Sequence, residues 1–202
     1  EILKKADSIA ENAIAEKATP GCQILAARNG KVFYHKAFGH YTYNKKKEVD
    51  ADALYDLASL TKIVATTSSL MRLYDASVFR LNDSLSAYLP MLCNTNKSKL
   101  LFKDILSHQA RLIPWIPFYM ETVGADSLKQ FYYSEKQSEN FPVEIAEGVY
   151  GRACLRDTVL KRILDSKLRY RTAYKYSDLG FYLLKEFIES QSGRYMKHYT
   201  DS

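Results

Sequence analysis

Hydrophobic periodicity predicts three helices outside residues 80–170. One runs from Ile2 to Ala15, a second begins at Ser59, and a third follows Asp178 and stops at Ser192-Gly193. The apolar positions of the three patterns are, in order, Ile2, Leu3, Ala6, Ile9, Ala10 and Ile14; Ile63, Val64, Leu70, Met71 and Tyr74; and Leu179, Tyr182, Leu183, Phe187 and Ile188.

Between the first two helices the pattern becomes that of strands. Residues 20–39 predict two strands joined by Asn29-Gly30, a pair typical of tight hairpin turns. The segment Ala53–Leu57 is short and apolar enough to be a further strand, and residues from about 80 to 170 are expected to be mostly helical, with one helix over Gly151 to Ser166. Because helices and strands do not alternate as βαβ units, we expect an α+β fold, an antiparallel sheet packed by helices plus a mostly helical subdomain.

Length and composition fit one globular domain. The chain has 202 residues, of which 47% are hydrophobic. We interpret 1–202 as a single domain, with a sheet part over about 1–58 and a helical part over about 59–202. No apolar run reaches the roughly twenty residues of a membrane span.

Charge and metal-binding residue types exclude several functions. The net charge of +6 comes from scattered basic residues with no nucleic-acid-binding string, so no nucleic-acid partner is expected. The cysteines and histidines have no metal-ligand spacing, so neither a metal nor a cofactor is expected. These residues are Cys22, Cys93, Cys154, His35, His40, His108 and His198.

The most informative string is Ser59-Leu60-Thr61-Lys62. Residues three apart project from the same helical face, so a hydroxyl and an amine come within reach of each other. A serine becomes a strong nucleophile when a neighbouring group takes its proton. The alternative is a helix-capping serine with a lysine on a solvated face, and the tetrapeptide alone does not exclude it.

Three further strings occur with it in a fixed order. They are the hairpin over residues 20–39, Leu106-Ser107-His108, and Tyr176-Ser177-Asp178 before an apolar helix. Together the four resemble the serine β-lactamase and penicillin-binding-protein superfamily, most closely the branch of class C β-lactamases, D-amino-acid peptidases and esterases. The resemblance covers nearly the whole chain and implies a β-lactamase/transpeptidase-like fold.

The resemblance also implies roles for particular residues. Ser59 would be acylated by the substrate, Lys62 would help to deprotonate it, and Tyr176 would carry a proton to the leaving group. Tyr199 has the same Tyr-x-Asp form but lies beyond the end of its helix, so we expect it to be a packing residue. His108 would be structural, at a helix-to-loop turn near the pocket.

The sequence departs from the family pattern at Asp178, where relatives commonly carry asparagine. A carboxylate near Lys62 would favour the ammonium form and raise its pKa, making the lysine a poorer base. We therefore hypothesise that Lys62 works mainly as a cation held by Asp178. The alternative is that Asp178 only caps its helix.

A second departure is the third motif. The family carries Lys-Thr-Gly or His-x-Gly on a strand that lines the pocket, and this chain contains neither string. We expect these residues to be part of a larger protein, with the C-terminal strands of the sheet missing here and the fragment itself inactive.

The resulting prediction is a serine hydrolase that acts on a D-alanyl peptide, a β-lactam or an ester, in the periplasm or cell envelope. The alternative is a catalytically silent module of a larger envelope protein, for example fused to a glycoside hydrolase. The aromatic loop Pro114–Tyr119 is either a wall of the substrate cleft or a cap over the helical core.

Overall fold

The computed structural model describes residues 2–124 and 130–201, and these form two compact units. The first unit runs to Leu57, and the second begins at Ala58. All four predicted site residues lie in the second unit. Their mutual geometry is therefore set within one compact body.

A helix and a β-hairpin make up the first unit. Helix α1 spans Ile2–Ala15, and strands β1 (Gly21–Arg28) and β2 (Lys31–Gly39) pair antiparallel. At the turn, Asn29 and Gly30 have φ angles of 53° and 74°, a left-handed backbone that these two residue types adopt readily. The predicted hairpin and its turn are confirmed.

Helix α1 is tied to the hairpin through Tyr34 on β2. The buried Tyr34 hydroxyl donates to Asp7 Oδ1 at 2.5 Å, and Lys36 forms an ion pair with Asp7 Oδ2 at 2.8 Å. The hydrogen bond to the carboxylate raises the pKa of Tyr34 to about 12. This polar contact fixes the helix on the strand.

The apolar face predicted for α1 is only partly buried. Ala10 is buried, whereas the side chains of Leu3 and Ile9 are exposed. The side chain of Ile2 lies outside the described residues. The periodicity located the helix correctly but overstated its buried face.

The strand predicted over Ala53–Leu57 is wrong, because this segment is irregular. A strand needs a hydrogen-bonded neighbour, and no described strand pairs with it. Instead, the Gln23 side-chain amide on β1 donates to the carbonyl oxygens of Asp50 and Ala53, at 2.5 and 3.2 Å. Leu54 is 95% exposed, so the apolar run that suggested a strand is not buried.

The second unit combines helices with a small antiparallel sheet. Its α-helices are α2 (Ser68–Asp75), α3 (Phe102–Leu106), α4 (Leu155–Asp165), α5 (Leu179–Ser192) and α6 (Met196–Thr200). Its strands are β3 (Tyr133–Ser134), β4 (Val143–Ala146) and β5 (Val149–Gly151), paired in the order β3-β5-β4. Single 3-10 turns lie at Ala58–Leu60, Leu85–Ala87, Pro90–Leu92 and Phe118–Glu121, and a π-helical turn lies at Lys62–Thr67. The α+β class is confirmed.

The expectation of a mostly helical segment over residues 80–170 is wrong. In its described part, the chain between α3 and α4 contains no α-helix, only one 3-10 turn and the three short strands among turns and irregular segments. Gly148, with a φ of 66°, makes the turn between β4 and β5. The helix predicted from Gly151 therefore begins only at Leu155, because Gly151 is still in β5.

Helix α5 runs through the centre of the core. Its fully buried side chains are Leu179, Leu183, Leu184, Phe187 and Ile188. The ring of Phe187 packs against those of Phe79 and Phe102, with centroids 5.2 and 4.7 Å away. The helix ends at Gly193, whose φ is 67°, as the sequence predicted.

The start of α5 is held close to α3. A Cβ added at Gly180 would lie 2.5 Å from Ile105 Cγ2 on α3, so only glycine fits without movement there. Tyr199 packs against the same core as a partly buried residue. The rigid contact between α5 and α3 fixes the residues that precede α5, where the predicted Tyr176 and Asp178 lie.

Candidate active site

Ser59 lies at an irregular start of a helical stretch. It is exposed in the 3-10 turn Ala58–Leu60, and Ala58 before it has a φ of 44°, in the left-handed region that alanine disfavours. The π-helical turn Lys62–Thr67 follows, with the Thr67 hydroxyl donating to the Lys62 carbonyl at 2.8 Å. Left-handed non-glycine residues and π-helical turns are both enriched at functional sites.

The Lys62 ammonium is the centre of the candidate site. It donates to Ser59 Oγ at 3.2 Å and lies 2.7 Å from Asp178 Oδ1. It also lies 5.2 Å from the centroid of the Tyr176 ring and 5.7 Å from that of Phe181. The structure therefore brings together all four residues that the sequence singled out.

The charge state of Lys62 follows from these contacts. Burial favours the neutral amine, but the hydrogen bonds and charges of Asp178 and Tyr176 outweigh burial and raise the pKa of Lys62 above its ordinary value. Lys62 is therefore an ammonium at neutral pH. An ammonium has no lone pair, so it donates to Ser59 and does not take its proton.

Asp178 is a partner of Lys62 and not a helix cap. It precedes α5, but its side chain makes no capping hydrogen bond. The Ser177 Oγ takes that place, accepting a hydrogen bond from the Leu179 N–H at 3.2 Å. The buried Oδ1 of Asp178 instead lies 2.7 Å from the Lys62 ammonium, with which it forms an ion pair.

The segment that carries Tyr176 is pinned by the loop after α3. The Ser177 N–H donates to His108 Nδ1 at 3.1 Å, and the Ser177 hydroxyl donates to the Ile113 carbonyl at 2.6 Å. The Asp178 N–H donates to the Pro114 carbonyl at 2.8 Å. Two distant stretches of sequence therefore form one unit at the site.

His108 has the structural role that the sequence predicted. Burial and the charge of Lys62 lower the pKa of His108, which is neutral at pH 7 with Nδ1 accepting a hydrogen bond and the proton on Nε2. Its ring lies 4.5 Å from that of Tyr176, centroid to centroid. His108 positions the Tyr176 ring, and Tyr176 itself is 39% exposed.

Sequence reasoning missed Ser177 and Phe181 at this site. Ser177 is buried and holds both the backbone before α5 and the first turn of that helix. Its place inside the Tyr-x-Asp string was the available signal. The contact of Phe181 with Lys62 had no signal, since an apolar residue in a helix is expected in the core.

The aromatic loop Pro114–Tyr119 lies beside the site. Its Phe118 packs against the core, whereas Trp115 and Tyr119 are 55% and 59% exposed. Trp115, Tyr119 and Asp178 line the same cavity, of about 320 Å³. The loop therefore does both things that the sequence left open: it covers the core and forms the wall of a cavity that reaches Asp178.

Within residues 2–124 and 130–201, no helix has the length and apolar character needed to cross a membrane. The same residues contain no group of three or more His, Cys, Asp or Glu side chains placed to hold a metal ion.

Comparison with known sequences gives one family. The sequence model of the family described as Beta-lactamase matches residues 6–201. An N-acetylmuramyl-L-alanine amidase of Bacillus subtilis (strain 168) is 28% identical over 98% of this chain and 43% of its own length. Protein flp of Staphylococcus aureus (strain COL) is 24% identical over 97% of this chain and 35% of its own length. The chain thus spans less than half the length of these relatives.

Solved structures agree with the sequence match. EstCE1, described as a hydrolase with promiscuous acyltransferase activity, has a TM-score of 0.69 at 20% identity, over 98% of this chain and 49% of that chain. The octameric penicillin-binding protein homologue from Pyrococcus abyssi has a TM-score of 0.67 at 20% identity, over 98% and 41%. At such identities the likeness shows the fold, which is β-lactamase/transpeptidase-like as predicted.

Proposed function

Since this chain belongs to the beta-lactamase family, we propose that it is a serine hydrolase that forms an acyl-enzyme on Ser59. One observation carries the proposal: the Lys62 ammonium contacts Ser59 Oγ while it is held by Asp178 and faces Tyr176. A hydroxyl, a cation and a phenol at one point can activate a nucleophile and supply a proton.

The proposed acylation proceeds in one proton relay. Ser59 Oγ attacks the substrate carbonyl while its proton passes to the Tyr176 oxygen, and Tyr176 gives its own proton to the leaving group. The Lys62 hydrogen bond stabilises the negative charge that develops on Oγ. Water then attacks the acyl group and releases it, which restores the Ser59 hydroxyl.

The proposed substrate is a D-alanyl peptide, a β-lactam or an ester in the periplasm or cell envelope. The names of the Bacillus subtilis amidase and of EstCE1 support acyl chemistry at this kind of site. The proposal includes the expectation that the chain works within a larger protein, because it spans only 43% of the Bacillus subtilis relative.

Labelling tests the proposal directly. The intact protein is incubated with a fluorophosphonate and, separately, with a fluorescent penicillin, and the modified residue is located by mass spectrometry. We expect an adduct on Ser59 with at least one probe and none in a Ser59→Ala variant. Ser68→Ala is the matched control, since Ser68 is an exposed serine of the same helical stretch.

A catalytically silent module is the second candidate. The ion pair between Lys62 and Asp178 favours it, because an ammonium cannot act as the base that family members are expected to use. Absence of any adduct on Ser59 with both probes would support this second candidate and contradict the hydrolase.

A further inference from the structure

The cavity beside the aromatic loop is lined mostly by aromatic and aliphatic side chains. Rings from three parts of the second unit line it, together with one carboxylate, that of Asp178. The lining includes Trp115, Phe118, Tyr119, Tyr133, Tyr182 and Asp178. Phe118 and Tyr182 pack edge to face, with centroids 5.6 Å apart, which gives one side of the cavity a fixed shape.

Asp178 links the cavity to the candidate nucleophile. Asp178 lines it and lies 2.7 Å from the Lys62 ammonium, which in turn lies 3.2 Å from Ser59 Oγ. Two short contacts therefore connect the cavity to the reacting atom. A compound bonded to Ser59 would have to span these two contacts with a side group of a few atoms to enter the cavity.

The charge in the cavity is already balanced. Asp178 is its one charged lining residue in the part of the chain that the structure describes, and Lys62 neutralises that carboxylate. A second cation would have to lose its hydration without gaining a free counter-charge. The site therefore favours a neutral group, and the ring walls favour an apolar one.

The volume agrees with a ring-sized occupant. The cavity holds about 320 Å³, within the range of about 300 to 1,000 Å³ that is common for small-molecule sites. An apolar cavity of about 150 Å³ already accepts benzene. A phenyl group with the atoms that link it to the reacting centre fits into the available space.

We propose that this cavity is a specificity subsite, an inference that rests on the function proposed above. The subsite selects acyl donors that carry a neutral aromatic or similarly bulky apolar group beside the bond that Ser59 attacks. Trp115 and Tyr182 are the selecting residues, and Asp178 connects the subsite to the reacting groups.

The test compares two phosphonates on the intact protein. Both are p-nitrophenyl ethyl phosphonates, one with a methyl and one with a benzyl group on phosphorus, so that p-nitrophenol leaves in each case and the other group stays on Ser59. Each labelling rate is divided by the rate of hydrolysis in buffer. We expect the benzyl compound to label Ser59 about tenfold faster or more, the discrimination that one apolar group supplies in a fitted pocket.

Two variants change the subsite in opposite ways. Trp115→Ala removes an exposed wall and Val159→Trp fills the cavity from α4, and both are expected to bring the benzyl-to-methyl ratio close to one. Tyr170→Ala is the control, because Tyr170 is an aromatic residue that is 95% exposed and not part of the lining. It is expected to leave the ratio unchanged.

The outcomes separate this inference from the proposed function. No labelling of Ser59 by either compound would overturn the proposed hydrolase, and the subsite with it. Labelling at equal corrected rates, or a benzyl preference that survives both Trp115→Ala and Val159→Trp, would overturn the subsite alone. A benzyl preference that either variant removes supports it.

Discussion

Lys97 offers a stability prediction whose size follows from the structure. Its side chain is fully buried, and its ammonium donates to the carbonyls of Leu164 and Ser166 at 3.0 and 2.6 Å and to Asn96 Oδ1 at 2.8 Å. The two carbonyls lie at the C-terminal end of α4, where a cation is favourable. Burial, opposed in part by the charge of Asp165, lowers the pKa of Lys97 to about 8.

The shift corresponds to a dependence of stability on pH. An ordinary lysine has a pKa of 10.5, and the difference from about 8 is worth roughly 3 kcal/mol at about 1.4 kcal/mol per unit. Between pH 8 and 10.5 the unfolded chain keeps a proton that the native protein has released. The free energy of unfolding therefore rises with pH in this window. Below about pH 8 both states are charged, and the native state carries the full penalty of the buried ammonium.

The Lys97→Met variant isolates this contribution. It keeps an unbranched side chain but removes the titration, so the unfolding free energy of the natural protein minus that of Lys97→Met is expected to rise by about 3 kcal/mol from pH 7 to pH 11. At pH 7 the variant also removes the donor of the Leu164 carbonyl, which costs about 1–3 kcal/mol for a buried group, whereas the Ser166 carbonyl keeps its hydrogen bond from the Asn96 side-chain amide.

Urea unfolding followed by circular dichroism, at a series of pH values, measures the difference. Lys99→Met is the matched control, because Lys99 is an exposed lysine two residues away and its loss is expected to produce no such rise. A difference between natural protein and Lys97→Met that stays constant from pH 7 to pH 11 would refute the reasoning, since Lys97 would then titrate alike in the folded and unfolded states.

Three other predictions concern the site and its support. Asp178→Asn removes the carboxylate that raises the pKa of Lys62, so the alkaline limb of the pH profile of kcat/KM is expected to move to lower pH; an unchanged profile would remove Asp178 from the mechanism. Tyr176→Phe should lower kcat/KM by about 10²- to 10⁴-fold with Tm unchanged, whereas full activity would end its role as proton carrier. Gly180→Ala places a Cβ 2.5 Å from Ile105 Cγ2 and should lower the unfolding free energy by about 1–3 kcal/mol, seen as a lower Tm; an equal Tm would show that α5 can shift.

The turn and the helix end that depend on one or two residue types were predicted correctly from the sequence. The Asn29-Gly30 turn and the stop of α5 at Gly193 occur where expected, because left-handed backbone favours these residue types. Of the five apolar positions predicted along α5, four are fully buried, and the remaining one, Tyr182, lines the aromatic cavity.

The apolar positions predicted for the helix after Ser59 are only partly buried, because this helix is not a regular α-helix. After Ser59 the structure buries Leu70, as predicted, but Ile63, Val64 and Met71 are 59% to 65% exposed. The π-helical turn Lys62–Thr67 has more residues per turn than an α-helix, so the face that points to the core changes along the stretch. A pattern based on 3.6 residues per turn does not contain this change of phase.

The site residues were easier to find than their contacts. The Ser59 to Lys62 spacing is local, so the hydrogen bond between them was predictable from helix geometry. The choice between helix cap and ion-pair partner for Asp178 depends on Lys62, which is distant in sequence, and on Ser177, which takes the capping role. Only tertiary structure decides such a choice.

The ion pair between Lys62 and Asp178 changes what the site requires of Tyr176. Because the ammonium only donates, the proposed acylation needs another acceptor for the Ser59 proton, and we assign this role to Tyr176, whose ring faces Lys62. The ring of Tyr176 is placed by His108, which also accepts the Ser177 N–H. In the proposed mechanism, reactivity at Ser59 then depends on a contact between the Leu-Ser-His and Tyr-Ser-Asp strings. This contact is a physical reason why the ordered set of strings is more informative than Ser-x-x-Lys alone.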